Sequence, residues 1–154
     1  MRTGLSFGAT SGVITTLGLM VGLDAGTHSR MIVLGGIMTI AVADAFSDAL
    51  GIHVSEESEN KHSSKEIWQS SAYTFISKLL IALSFMIPVL LVELPVAMWI
   101  SVIWGMIILS VLSVQISDGP LMKRWKVVLE HLVVAVVVII VANYIGNFIS
   151  HVFA

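Results

Sequence analysis

Apolar positions gather into five long runs, 4–23, 31–54, 71–92, 94–116 and 127–148, separated by short polar stretches. At 1.5 Å per residue, each run is long enough as a helix to cross about 30 Å of hydrocarbon. The pattern predicts an all-α integral membrane protein, with residues 1–154 forming a single five-helix transmembrane domain. The first run follows Arg2 but lacks the leucine-rich core of a cleaved secretory signal. It carries Gly4, Gly8 and Gly12 at i, i+4 and i+8, and Ser11, Thr15, Gly18 and Gly22 extend the small-residue stripe. Such stripes let helix backbones approach closely in lipid, so this run is read as a retained, packed helix.

The polar stretches set the topology. Leu23 to Arg30, with Asp24, Gly26 and His28, reads as a short turn, and Ser55 to Glu66 is the longest polar segment. Pro88 breaks the third run near its end, Glu93 and Pro95 make a tight turn, and Ser117-Asp118-Gly119-Pro120 stops the fourth run. Five spans leave the termini on opposite sides. With the N-terminus inside, the inner segments hold Arg2, Lys61, Lys65, Lys123, Arg124 and Lys126, and the outer segments hold Arg30. The positive-inside rule therefore predicts a cytosolic N-terminus and a C-terminus outside.

Composition agrees with a membrane protein. The chain is 56% hydrophobic and 12% charged, about half the charged fraction of a soluble domain, and its mean hydropathy is +0.96. A net charge of −2 offers no footprint for nucleic acid. With no cysteine there is no disulfide frame or thiolate metal site. The five histidines show no metal-ligand spacing on any one helix. No nucleophile–base pair, phosphate-binding glycine loop or zinc-protease spacing occurs, so a non-enzyme is expected. A short echo of Val42-Ala43-Asp44 … Asp48 in Val141-Ala142-Asn143 … Asn147 spans too few residues to indicate an internal repeat.

The chemistry concentrates in the second run. Asp44 and Asp48 stand four residues apart, on one helix face, inside an apolar stretch. Ionisable groups at membrane depth are costly and line polar paths or pair with one another. Two carboxylates about 6 Å apart at Cβ can share a hard divalent ion, or Fe²⁺ or Mn²⁺. Without a cation they repel in a low dielectric, which favours holding a proton until the ion arrives. The other reading pairs them with Lys78 or with the Ser/Thr stripe of the first run. Ser55 and Glu59 continue the same face, making Glu59 a third candidate ligand. Glu56, Glu57, Glu59 and Glu66, with His53 and His62, form either a cytosolic metal-collecting mouth or a solvated connector. Lys78 reads as a countercharge or a snorkelling residue. Glu130 reads as an interfacial pair with Lys126, Asn143 and Asn147 as hydrogen-bonding groups between helices, and Met20, Met38, Met86 and Met106 as packing.

Three stretches resemble the vacuolar iron transporter family. They are Gly8-Ala9-Thr10-Ser11-Gly12-Val13-Ile14-Thr15-Thr16-Leu17-Gly18 … Gly22-Leu23, then Ala43 to Glu59, and then Ser117-Asp118-Gly119-Pro120 through Leu129-Glu130 to Tyr144-Ile145-Gly146. The resemblance implies a homodimer with a path between protomers formed mainly by the first two helices. It also implies export of Fe²⁺, often Mn²⁺, from the cytosol in exchange for protons. The departures are specific. The family's first-helix acidic residue falls on Ser11, its second-helix methionine ligand on Asp48, a small residue on Asp44, and a glutamate on Ile52. Its large cytosolic metal-binding domain is replaced by residues 55–70. Loss of the thioether weakens any preference for iron over harder ions.

The expectation is a proton-coupled divalent-metal transporter without a permanently bound cofactor, set in a prokaryotic inner membrane. Its ligands would be Asp44, Asp48 and Glu59, with Ser11, Thr15, Ser55 and Glu56 along the path or entry. The competing expectations are a non-transporting helical scaffold or partner subunit held by an Asp–Lys pair, and a carrier of protons or organic cations.

Overall fold

The structure, a computed structural model, describes residues 2–117 and 121–153. It is all-helical: α1 (Arg2–Thr27), α2 (Arg30–Glu59), α3 (Ser64–Ser84), α4 (Met86–Leu91), α5 (Leu94–Ile116) and α6 (Leu121–Phe153). Among the described residues, five stretches are long and apolar enough to cross a membrane: Gly4–Thr27, Arg30–Glu59, Ser64–Leu91, Leu94–Ile116 and Arg124–Phe153. The five runs of the sequence are therefore five helical spans, and α3 and α4 share one.

The helices outlast their apolar runs. α1 continues through Asp24 and Gly26, so the expected turn from Leu23 shrinks to His28 and Ser29, with His28 at φ 48°. The Thr27 hydroxyl donates to the Leu23 carbonyl at 2.7 Å and accepts the Ser29 N–H at 3.3 Å, closing the last turn. α3 begins at Ser64, seven residues before the apolar run. Ser63 and Glu66 form a reciprocal capping box, in which the Ser63 N–H donates to Glu66 Oε2 at 2.8 Å. α2 ends at a left-handed Asn60, whose N–H donates to the Glu57 carbonyl. The break between α3 and α4 falls at buried Phe85. Pro88 lacks the N–H that would reach the Ser84 carbonyl, and its ring crowds that carbonyl. Of the expected stop after the fourth run, Ser117 caps α5 and Asp118–Pro120 lie outside the described residues.

α1 is the central helix, and its glycine stripe divides between two neighbours. Gly4, Gly8 and Gly12 face Ser70, Thr74, Ser77 and Lys78 of α3, whereas Gly18, Gly22 and Gly26 face Val138, Ala142 and Gly146 of α6. Both registers ascend together, so the first, third and fifth spans run parallel, as alternate spans must. The approach is tightest without side chains: a Cβ at Gly8 would stand 2.4 Å from the Thr74 carbonyl oxygen, and one at Gly146 would stand 2.2 Å from that of Gly22. α5 meets α1 where Gly105 seats against Val13 and Leu17. Val13, Leu17, Met20, Val33, Ile37, Phe85 and Leu109 form the buried core. On the side of the bundle where α1 ends, Arg30 Nη2 donates to the Val92 carbonyl at 2.8 Å, tying two turns together.

Candidate membrane cation site

Three helices converge on one ammonium. α3 presents a buried stripe of Ser70, Thr74, Lys78 and Ala82, one residue per turn. Three of the four are short, which lets α1 and α2 approach and cover Lys78 to 1% exposure. Gly12 of α1 leaves the slot for its stem: a Cβ there would already stand 3.3 Å from Lys78 Cγ. The stem is thus held among helices instead of snorkelling to the surface.

The charge arrangement is compact. Lys78 Nζ donates to Ser11 Oγ of α1 at 2.9 Å and to Asp48 Oδ2 of α2 through a short, charge-assisted hydrogen bond. Asp44 Oδ2 lies 2.6 Å from the same nitrogen, but at an angle that makes an ion contact and not a hydrogen bond. Spacing explains the shared partner. Residues i and i+4 stack on one face, so one ammonium reaches both carboxylates. Two acids and one base leave the cluster with one formal negative charge.

The carboxylates face another way as well. Side-chain exposure is 25% for Asp44 and 19% for Asp48, against 2% for Lys78. Asp44 lines an open groove of about 720 Å³ between α1 and α2, together with Thr15, Leu19, Gly36, Thr39, Ala43 and Ser47. Asp44 is the ionisable residue in this lining, and Thr15, Thr39 and Ser47 add hydroxyl oxygens. The arrangement has a buried cation behind two carboxylates and an accessible groove in front of one of them, Asp44.

Other expected site residues lie elsewhere. Glu59 is eleven residues beyond Asp48, about 16 Å along the helix. It pairs with exposed Lys61 at 3.7 Å. Glu56 accepts a 2.6 Å hydrogen bond from Ser70 Oγ, which clasps α2 to α3. His53 packs edge-on against Trp68 and lies 3.2 Å from Ser71 Oγ. Ser55 is exposed, and its carbonyl accepts from Ser58 Oγ. Thr15 turns its hydroxyl to the Ser11 carbonyl at 2.9 Å while still bordering the groove. Among the described residues no three acidic or histidine groups are gathered as a metal-holding set, so Glu59 does not join the aspartates.

One further reading changes. Asn143 and Asn147 do not bridge helices: Asn147 Nδ2 donates to the Asn143 carbonyl and side-chain oxygens within α6, on an exposed face. Lys126 and Glu130 do pair, at 4.0 Å. Sequence reasoning missed the Ser113–His131 contact of 2.7 Å between α5 and α6. It also missed how completely Lys78 closes the back of the site. The available signal was that Lys78 has no acid one turn away on its own helix.

The segment that builds the acidic half of this cluster resembles a known family. Residues 5–67 match the VIT family model. The likeness to this family, the vacuolar iron transporters, thus covers α1, α2 and the start of α3. Ser11, Asp44 and Asp48 fall inside the VIT match, and Lys78 falls beyond it. Comparison with curated proteins found no match, and neither did comparison with solved structures. Five membrane-capable helices and a VIT-like first half point to a multi-pass membrane protein concerned with metal or ion transport.

Proposed function

We propose that the chain exports divalent metal ions, Fe²⁺ or Mn²⁺, from the cytosol in exchange for protons, across a prokaryotic inner membrane. One observation carries this reading: two carboxylates one turn apart on a membrane-capable helix share a single ammonium, and one of them, Asp44, borders an open groove. An excess negative charge in a low dielectric calls for a cation. In the proposed assembly, two protomers oppose their α1/α2 grooves, and the cation passes between them along Thr15, Thr39, Ser47 and the aspartates. The N-terminus lies in the cytosol, and the acidic end of α2, with Glu56 and Glu59, forms the entry. Exchange of the ion for protons at this site couples the two fluxes without a resident cofactor or a chemical reaction.

A second reading is favoured by the Lys78 contacts themselves, because an ion pair joining α2, α3 and α1 is also what a non-transporting scaffold would use. Proteoliposomes holding a pH-sensitive dye and a Mn²⁺ indicator separate the two. The transporter moves Mn²⁺ with counterflow of protons, and Asp44→Asn lowers that flux at least tenfold while the protein stays folded. Wild-type protein that moves neither ion supports the scaffold, and proton flux without Mn²⁺ supports a proton carrier.

A further inference from the structure

A second groove, between α2 and α3, lies apart from the cation site. We propose that it binds one phospholipid whose headgroup carries both a phosphate and a primary ammonium, with an acyl chain lying between the two helices. The groove holds about 400 Å³ and is lined by apolar side chains apart from His53 and Ser71. Phe46 and Phe75 close the end nearer mid-helix, their ring centroids 4.7 Å apart. His53 and Trp68 stand at the other end, packed edge-on with centroids 4.6 Å apart. From Phe46 to His53 the groove runs about 10 Å along α2, within the roughly 15 Å of hydrocarbon in one leaflet. Both walls belong to membrane-capable helices, so acyl chains are what this surface meets.

The polar mouth of the groove selects the headgroup. Trp68 has the apolar body and polar N–H of a residue that settles at a membrane–water boundary. Beyond it, helical spacing carries each wall to a charge. Glu57 stands one turn past His53 on α2, and Lys65 stands one turn before Trp68 on α3. Both are exposed, and among the described residues neither side chain has a hydrogen bond or ion pair with another. The neighbouring acids are engaged, Glu56 with Ser70, Glu59 with Lys61 and Glu66 with Ser63. One carboxylate and one ammonium at the mouth match a headgroup of the opposite pattern: its phosphate accepts from Lys65 and its ammonium donates to Glu57. A choline headgroup has no N–H to give Glu57, and an anionic one sets negative charge against that carboxylate. A chain in the groove touches α2 and α3 together, so the lipid braces the two helices that carry Asp48 and Lys78.

The test is native mass spectrometry of the full chain released from mixed micelles. These hold equal amounts of phosphatidylethanolamine, phosphatidylcholine and phosphatidylglycerol with the same acyl chains. Wild type is expected to retain one ethanolamine lipid with about tenfold preference over either competitor, the worth of one charge-assisted hydrogen bond to the headgroup. Glu57→Ala is expected to lose the preference over phosphatidylglycerol, and Lys65→Met to retain less of all three lipids. Ala72→Phe, a change at an exposed position of the groove wall, fills the space for the acyl chain. It is expected to keep the Tm of lipid-free protein and to lose retention of every lipid. Equal retention of the three lipids by wild type would overturn the proposal. So would a Glu57→Ala protein that keeps the full preference, or a folded Ala72→Phe protein that retains as much lipid as wild type. No divalent ion is present in these measurements, so their outcome is independent of the cation-transport reading.

Discussion

Replacing Lys78 by methionine is expected to destabilise the protein by about 3–5 kcal/mol in metal-free membrane mimetic, the cost of leaving a buried charge without its partner. Methionine fills nearly the same volume along Gly12, so lost packing contributes little. What remains is two carboxylates, one turn apart and only about a fifth to a quarter exposed, with no opposing charge. On the scale of soluble proteins of this size, the loss corresponds to a fall in Tm of about 6 °C or more. Combining Lys78→Met with Asp44→Asn and Asp48→Asn removes all three charges and should recover most of the stability, because a whole buried ion cluster contributes little net stability. Thermal unfolding of the single and triple variants checks this. An unchanged Tm for Lys78→Met would mean that the ammonium does not sit between the aspartates.

The second large effect comes from Gly8. Its Cα faces backbone, so a side chain here meets the Thr74 carbonyl at 2.4 Å and cannot be accommodated by a rotamer change. Gly8→Val should force α1 from α3 and destabilise the bundle by about 1–3 kcal/mol. It should also reach the cation site, because Ser11 lies one turn further along α1 and contacts Lys78 only while the two helices stay close. Reduced Mn²⁺ binding should therefore accompany the lower Tm. Gly51→Ala is the matched control: a Cβ there meets nothing within 4 Å, and alanine is the better helix former by about 1 kcal/mol. Equal tolerance of both substitutions would contradict the packing of α1 on α3.

Much of this architecture was legible in the sequence, for identifiable reasons. A span must be apolar over its whole crossing, so five hydropathy runs gave five spans. The helix ends were not legible, since hydropathy marks membrane depth and not where backbone hydrogen bonding stops. The Ser63–Glu66 capping box and the Asn60 cap lie in the polar segment that composition alone reads as a connector. The glycine stripe announced close packing but not its partners, because spacing on one helix cannot say which neighbour faces it. Asp44 and Asp48 were conspicuous as charges in an apolar run. Lys78 was visible too, yet its place between them needed the register of α2 against α3 and the seat provided by Gly12. Asn143 and Asn147 show the reverse case: spacing of i, i+4 let them satisfy each other along α6 instead of crossing to another helix.

The departure from the VIT pattern has a chemical direction. In the proposed site, the α2 carboxylates would stand in for the first-helix acidic residue and the second-helix thioether that the family resemblance implies, giving a harder set of oxygen ligands. An ammonium from α3 offsets half of their charge. Under the proposed transport function, oxygen donors of this kind suit Mn²⁺ as well as Fe²⁺, and Mn²⁺, which is stable in air, is the practical probe.

The most direct measurement is the structure of the protein crystallised from lipid with Mn²⁺, read from its anomalous difference density. Carboxylate ligation of this ion should place a single strong peak in the α1/α2 groove, at about 2.2 Å from oxygens of Asp44 or Asp48. Density confined to Glu56, Glu57 and Glu59 at the end of α2, or no peak in the groove at saturating Mn²⁺, would contradict the assignment of these aspartates as the cation site.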